Sequence, residues 1–332
     1  MTRDRIDAFL SSYRSKRLLV IGDLMLDRFI WGSVSRISPE APVPVVHVQR
    51  ESSYPGGAAN VARNLRPFTP NVSLMGLTGT DDFGSHLIQL LTTEGIDTAG
   101  VVRDPLVETI VKTRIVARQQ QVCRVDRESA MTLKPDQIDG LMDLLRSRAT
   151  EIDAIILEDY GKGMLSQPLV DAIVSLAKEH RIVVTADPNP NNKLSWDRVT
   201  VLKPNRLEAF RMAGIPEPAP AAHPLEDGPL LEVGHLLLER WNTEMLLITL
   251  GEHGMLLFDR KGMPSHVPSL PREVFDVSGA GDTAVALLTL TLAAGGSPLE
   301  AVEISNLASG VVVGKLGTAT LSPSELREAS PH

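Results

Sequence analysis

The segment Arg17-Leu-Leu-Val-Ile-Gly-Asp23 constrains the fold most, being a short unbroken apolar run that ends in Gly-Asp. A run that is apolar at consecutive positions needs cover on both faces, as a parallel strand has, and this one delivers a carboxylate at its C-terminal end. The same pattern recurs at residues 72–76, at 154–157 before Glu158 and Asp159, at 182–185 before Asp187, at 199–202 before Asn205, and at 245–250 before Gly251. Helical periodicity covers residues 82–94, 135–148, 167–180, 206–213 and 231–241. Strand–helix alternation predicts an α/β fold, a parallel sheet sandwiched between helices, in one domain over residues 1–332.

Two segments break the rhythm. Residues 27–49 and 109–127 are rich in β-branched residues, and Lys112-Thr-Arg-Ile-Val-Ala-Arg118 alternates as a half-exposed strand does. They predict a small discontinuous sheet, a lid with bounds near 24–50 and 105–127. Residues 215–229 read as a surface loop and Cys123 as a packing residue. The near-apolar run 284–294 is short of the ~20 residues of a membrane span and reads as a buried helix. The first 16 residues have no apolar core of a signal peptide, so a cytoplasmic protein without a membrane partner is expected. A net charge of −8 offers no whole-chain field for nucleic acid, so an anionic ligand needs a local site. One cysteine and eight scattered histidines give no metal-cluster spacing.

Three motifs carry chemistry. Phe275-Asp-Val-Ser-Gly-Ala-Gly-Asp-Thr-Ala284 precedes the apolar helix. The amides of Gly279, Ala280 and Gly281 at a helix start can cradle an anion, and Asp282 inside that cradle suits a base that takes a hydroxyl proton. A plain helix start with an acidic first turn fits the same residues. Pro55-Gly-Gly-Ala-Ala-Asn60 allows close approach to the backbone at Gly56 and Gly57 and offers Asn60 as donor and acceptor, or simply packs a helix tightly. Lys203-Pro-Asn205-Arg-Leu-Glu208 suits water-mediated Mg²⁺ or phosphate contact, and equally a helix cap with Glu at its third position.

In this order, with Gly22-Asp23 ahead of them, the three motifs resemble the ribokinase/PfkB sugar-kinase family across essentially the whole chain, with Ser278 where that family usually has Thr. Neither a P-loop nor a dinucleotide fingerprint is present. Within the family, Gly22-Asp-Leu-Met-Leu-Asp-Arg-Phe-Ile-Trp-Gly32, Arg36-Ile-Ser-Pro-Glu-Ala-Pro-Val-Pro-Val45, Glu158-Asp-Tyr-Gly-Lys-Gly163 and residues 311–318 look like the heptose 7-phosphate kinases.

The resemblance implies a ribokinase-like fold and ATP-dependent phosphorylation of D-glycero-β-D-manno-heptose 7-phosphate at O1, on the route to ADP-heptose. Mg²⁺ would be required, and a monovalent cation is compatible. Asp282 would be the general base, with residues 279–281 as anion hole. Asp23, Asp27, Gly56, Gly57 and Asn60 would bind the sugar, with Asp159 and Asp187 as further strand-end candidates; Asp27 equally suits a stabiliser of the lid turn. ATP would lie along Asn205, Glu208, Thr249, Gly251, Gly254, Asn306, Gly310 and Lys315, with Mg²⁺ on Asn205 and Glu208 through water. The substrate phosphate needs cations, for which Arg36, Lys112, Arg114, Arg118, Arg124, Lys162 and Lys193 are available, Arg124 and Lys162 among the site residues expected. A homodimer through the lid is expected, with no nucleotidyltransferase domain in the chain and a separate nucleotidyltransferase acting later. The other readings are a different PfkB-type sugar or sugar-phosphate kinase and a non-catalytic sugar-binding regulator.

Overall fold

The computed structural model describes residues 1–118, 120–129, 132–260, 262–270, 277–315 and 319–330. Phe275, Asp276 and residues 316–318 of the motifs above therefore lie outside the described residues. The chain opens with α1 (Arg3–Tyr13), β1 (Arg17–Gly22), β2 (Leu24–Ile37), β3 (Pro44–Gly57), α2 (Ala58–Leu65), β4 (Asn71–Gly79), α3 (Asp82–Thr93) and β5 (Asp97–Asp104). It continues through β6 (Ile110–Ala117), β7 (Gln120–Arg127), α4 (Pro135–Arg148), β8 (Ala154–Glu158), α5 (Gln167–His180), β9 (Val183–Asp187), β10 (Val201–Leu202) and α6 (Arg206–Ala213). The last part holds α7 (Gly228–Arg240), β11 (Met245–Thr249), β12 (Met255–Asp259), β13 (Ser265–Val267), α8 (Ala280–Ala293), α9 (Pro298–Val312) and α10 (Pro323–Glu328).

Nine strands form one sheet in the order β13-β12-β11-β10-β9-β8-β1-β4-β5. It is parallel from β5 to β11, but β12 and β13 add antiparallel, so the sheet is mixed where alternation alone predicted parallel pairing. Alternate residues of β1 feed opposite layers. Leu19 and Ile21 pack with α4–α7, while Leu18 and Val20 pack with α1–α3 and α8–α10. This two-sided burial explains the unbroken apolar runs. Helix α8 covers the expected apolar run and is buried around its full circumference.

The expected small sheet exists, with order β3-β2-β6-β7. Two features differ from the sequence reading. Gly56 and Gly57 end β3 rather than open a helix, and α2 starts only at Ala58. Strand β7 is exposed along its whole length, so Cys123 on it is exposed rather than packed. The stretch 215–229 is mostly irregular but contains a one-turn helix at Pro224–Glu226 and the start of α7. No helix among the described residues is long and apolar enough to cross a membrane.

Strand order reverses at β1, which has β4 on one side and β8 on the other. Such a switch point opens a crevice at the carboxyl ends of the strands. Here one residue, Asp23, separates β1 in the large sheet from β2 in the small one, so the small sheet rises directly beside that crevice.

Candidate active site

Asp282, in the first turn of α8, is almost fully buried. Its Oδ2 accepts a hydrogen bond from Asn60 Nδ2 at 2.6 Å and its Oδ1 one from the Tyr160 hydroxyl at 2.9 Å. Burial pushes its carboxyl up to about 6, against the opposing effect of those two hydrogen bonds. Gly279 adopts a left-handed φ of 80°, and a Cβ there would lie 3.1 Å from Asn60 Nδ2. The turn before α8 spends the Ala280 amide on the Val277 carbonyl at 3.2 Å, so the three-amide cradle expected from the sequence loses its middle donor.

The strand ends beside Asp282 carry charge that low-dielectric surroundings make consequential. Lys203 Nζ pairs with Asp187 Oδ2 at 2.7 Å and lies 3.9 Å from where a Cβ on Gly281 would sit. Burial alone would lower the Lys203 ammonium, but Asp187 and Glu158 outweigh it and hold the value above normal. The Asp187 carboxyl is raised by burial to about 6 despite Lys203. Glu158 is buried with Oε2 unpartnered, and burial followed by the charges of Asp187 and Asp282 raises it well above the usual carboxylate range.

Asp23 is the clearest departure from expectation. It is 0% exposed, and its oxygens accept from the backbone amides of Tyr160, Lys162 and Met164 at 2.9, 3.0 and 3.0 Å. A carboxylate spent on three amides clamps the 160–164 loop and leaves no face for a sugar hydroxyl. Asp159 serves the same loop. Its Oδ1 takes the Gly161 amide at 2.8 Å and Asn192 Nδ2 at 3.1 Å, and burial raises it to about 6.

Asp27 sits within β2, not at a turn, and pairs with Arg114 of β6. Gly56 lies opposite Met25 in β3, and a Cβ on it would be 2.3 Å from Asp27 Oδ2. At Gly57, with φ of 60°, the Cβ would be 2.5 Å from the Asp23 carbonyl oxygen. The close approach that the paired glycines permit is thus made by the chain's own β2. On the same face, Arg114 stands opposite Arg124 and Lys112 opposite Asp126. Arg124 is held by both oxygens of Asp126 at 2.8 Å, and Lys162 pairs with Glu128 at 2.8 Å. Burial lowers the Lys112 ammonium, and the charges of Asp27, Lys162, Arg124 and Asp126 all reach it. Of the seven candidate cations, these four are brought together.

A cavity of about 860 Å³ adjoins the start of α8. Thr249, Gly251, Gly254, Asn306 and Gly310 line it, as does Gly281. Lys315 does not. It binds the Thr320 carbonyl oxygen at 2.8 Å and Glu325 at the start of α10. Asn205 and Glu208 form a reciprocal cap on α6, Oδ1 accepting from the Glu208 amide at 2.9 Å and Oε2 from the Asn205 amide at 2.8 Å. The cap takes one of the two Glu208 oxygens, and the charge of Glu208 acts on both Asp187 and Lys203. That donor set suits Mg²⁺ held through water, not a direct ligand cage.

Sequence reasoning quoted Tyr160, Glu158 and Lys203 within motifs without giving them a part in the site. Two signals were available: a tyrosine directly before a Gly-Lys-Gly turn after a strand, and a lysine closing a mostly apolar strand, which needs a buried carboxylate partner.

The fold is shared with solved sugar kinases. Phosphofructokinase-2 from Escherichia coli, solved with substrates and products, superposes with a TM-score of 0.74 at 18% identity, over 95% of this chain and 98% of that one. Ribokinase from Arabidopsis thaliana, complexed with ribose and ATP, gives 0.70 at 16% identity, over 95% and 98%. Curated relatives are closer in sequence. The chain is 43% identical over 331 residues to the bifunctional protein HldE of Magnetococcus marinus, covering 98% of this chain and 66% of that protein. For the HldE proteins of Geobacter sulfurreducens and Helicobacter pylori the identities are 40% and 41%, with 98% and 94% of this chain covered. The chain spans 65% of the length of each of these two. Residues 15–325 match the pfkB family carbohydrate kinases, and the chain belongs to that family.

Proposed function

We propose that this carbohydrate kinase transfers the γ-phosphoryl group of ATP to O1 of D-glycero-β-D-manno-heptose 7-phosphate, giving the 1,7-bisphosphate on the cytoplasmic route to ADP-heptose and the lipopolysaccharide core. The observation that carries this reading is the cation group of Lys112 and Arg114 on β6, Arg124 on β7 and Lys162 on the loop after β8, across the Tyr160 ring from the buried Asp282, in a chain of net charge −8. A phosphate at the far end of the sugar supplies a further anion to this group, in which Asp27, Asp126 and Glu128 already pair Arg114, Arg124 and Lys162. Lys112 makes no ion pair among the described residues and is the first donor to meet it.

Asp282 accepts the O1 proton as O1 forms its bond to the γ-phosphorus. The bond from that phosphorus to the β,γ-bridging oxygen breaks, ADP leaves, and Asp282 returns its proton to solvent. The amides of Gly279 and Gly281, with the α8 dipole, face the charge spreading over the transferred group. Lys203, buried close to Gly281 and paired with Asp187, presents its ammonium there. The nucleotide lies in the cavity lined by Thr249, Gly251, Gly254, Asn306 and Gly310. Glu208 would hold Mg²⁺ through water, and the ion would supply neutralisation of phosphate charge.

An ADP-release assay across heptose 7-phosphate, the unphosphorylated heptose and fructose 6-phosphate tests this. Two charge-assisted bonds at ~1.5–3 kcal/mol each predict at least a ~10²-fold preference in kcat/KM for the phosphorylated heptose over the unphosphorylated one. Equal values would remove the phosphate anchor, and a preference for fructose 6-phosphate would assign a different sugar-phosphate kinase.

A further inference from the structure

The 160–164 loop is built more tightly than a connection between β8 and α5 requires. Asp23 takes three of its amides and Asp159 a fourth, and Gly161 and Gly163 turn the backbone through left-handed φ values of 68° and 101°. Four carboxylate–amide bonds on one short loop determine where its one aromatic side chain points. That side chain is Tyr160. Its hydroxyl reaches Asp282 Oδ1 at 2.9 Å, and on the other side its ring faces Lys112 Nζ of β6 at 5.9 Å from the ring centre.

We infer that Tyr160 is a positioning residue for Asp282, its hydroxyl fixing the rotation of the carboxylate and stabilising its charged form while the O1 hydroxyl approaches. The inference rests on the reading of Asp282 as the general base. With Asn60 on Oδ2 and Tyr160 on Oδ1, each oxygen holds one fixed donor, so the carboxylate plane is set from both sides and a lone pair remains for substrate. An unheld carboxylate could rotate about its last torsion, which is broad for aspartate, and misalign that lone pair.

The phenol is suited to the task because it stays a donor. Burial, then the negative charges of Asp282, Glu158 and Asp187, raises it well above its ordinary value. The charged groups facing the pair are Glu158 at the end of β8, Asp187 at the end of β9, Lys203 after β10 and Lys112 from β6, with the neutral Asn60 from α2. The acids raise the Asp282 carboxyl and Lys203 lowers it, so removal of the Tyr160 donor takes away one of the few groups favouring the carboxylate.

The test needs no knowledge of the sugar. A carboxyl ¹³C NMR titration of full-length protein follows Asp282 directly, with the Asp282→Asn variant assigning the signal. In Tyr160→Phe the midpoint is expected to rise by about 0.5–1 pH unit, the value of one ordinary hydrogen bond. Substituting 3-fluorotyrosine at position 160 makes the phenol a stronger donor without changing the packing and moves the midpoint down. In turnover with the preferred sugar phosphate, Tyr160→Phe lowers kcat ~10-fold or more with KM for ATP unchanged, and moves the acid limb of the pH profile upward. Unchanged midpoints in both variants overturn the inference while leaving Asp282 as base. Normal turnover in a folded Asp282→Asn protein overturns both.

Discussion

Asn60 Nδ2 donates to Asp282 Oδ2 at 2.6 Å across 222 positions of chain, joining the Gly-Gly motif at the end of β3 to the Gly-Ala-Gly-Asp start of α8. The bond brings an amide donor onto a carboxylate that burial would otherwise neutralise. Substitution of Asp282 by Asn keeps the shape and removes the proton acceptor. Turnover is expected to fall by ~10²–10⁴-fold, while titration calorimetry still detects ATP and sugar phosphate. A folded variant that keeps near-normal kcat removes Asp282 from the role of base.

The acid limb of kcat/KM is set by the same group. Because the Asp282 carboxyl titrates at about 6 and the deprotonated form is the active one, kcat/KM rises through that pH and levels off above it. A limb centred near the ordinary carboxylate value would show that another group limits the rate.

Stability has the opposite pH dependence. The folded-state value of about 6 lies above the ordinary 3.8, so between those values the folded state holds a proton that the unfolded chain has released. Its favourable contribution is complete below about 3.8 and is lost as pH rises through about 6. Asp282→Asn, which cannot ionise, is therefore expected to raise Tm at pH 8, by the equivalent of ~1–2 kcal/mol, and by clearly less at pH 5. Scanning calorimetry at the two pH values measures the difference; equal gains would sever the link to ionisation.

Gly56→Ala inserts a methyl group 2.3 Å from Asp27 Oδ2 and 2.9 Å from Met25 Cγ. Neither neighbour moves freely, since Asp27 is paired with Arg114 and Met25 is buried. We expect a loss of ~1–3 kcal/mol in stability and a raised KM for sugar with KM for ATP nearly unchanged. Denaturant unfolding and steady-state kinetics report the two effects, and a neutral variant would show that β2 and β3 separate at no cost.

Strand β7 presents eight exposed residues on a sheet edge, Val122 and Val125 among them. Unpaired edges of this kind pair with other chains unless covered. We expect a second copy to cover it, giving a homodimer through the small sheets by light scattering at micromolar concentration. A Val125→Lys substitution weakens it. A strict monomer would mean that the edge stays open.

The strand–helix alternation of the large sheet and its helices was legible because β1 and its parallel neighbours, buried on both faces, leave a continuous apolar signature. The Gly-Ala-Gly-Asp start of α8 was legible because those residue types have a local backbone consequence. Strands β12 and β13 were not read, since short antiparallel additions at an edge have no signature apart from their pairing. The roles of Asp23 and Tyr160 were decided only by tertiary structure. A carboxylate at a strand end looks the same in sequence whether it meets a sugar or three amides, and the distinction arises when the 160–164 loop folds over it. Likewise seven cations were available in sequence, and the pairing of β6 with β7, together with the turn carrying Lys162, selected the four that gather beside Asp27. Local chemistry is written in residue type and spacing, whereas the partner of a buried charge is set by which chain segments the fold brings within hydrogen-bonding distance, and that choice is made over separations as long as the 222 positions between Asn60 and Asp282.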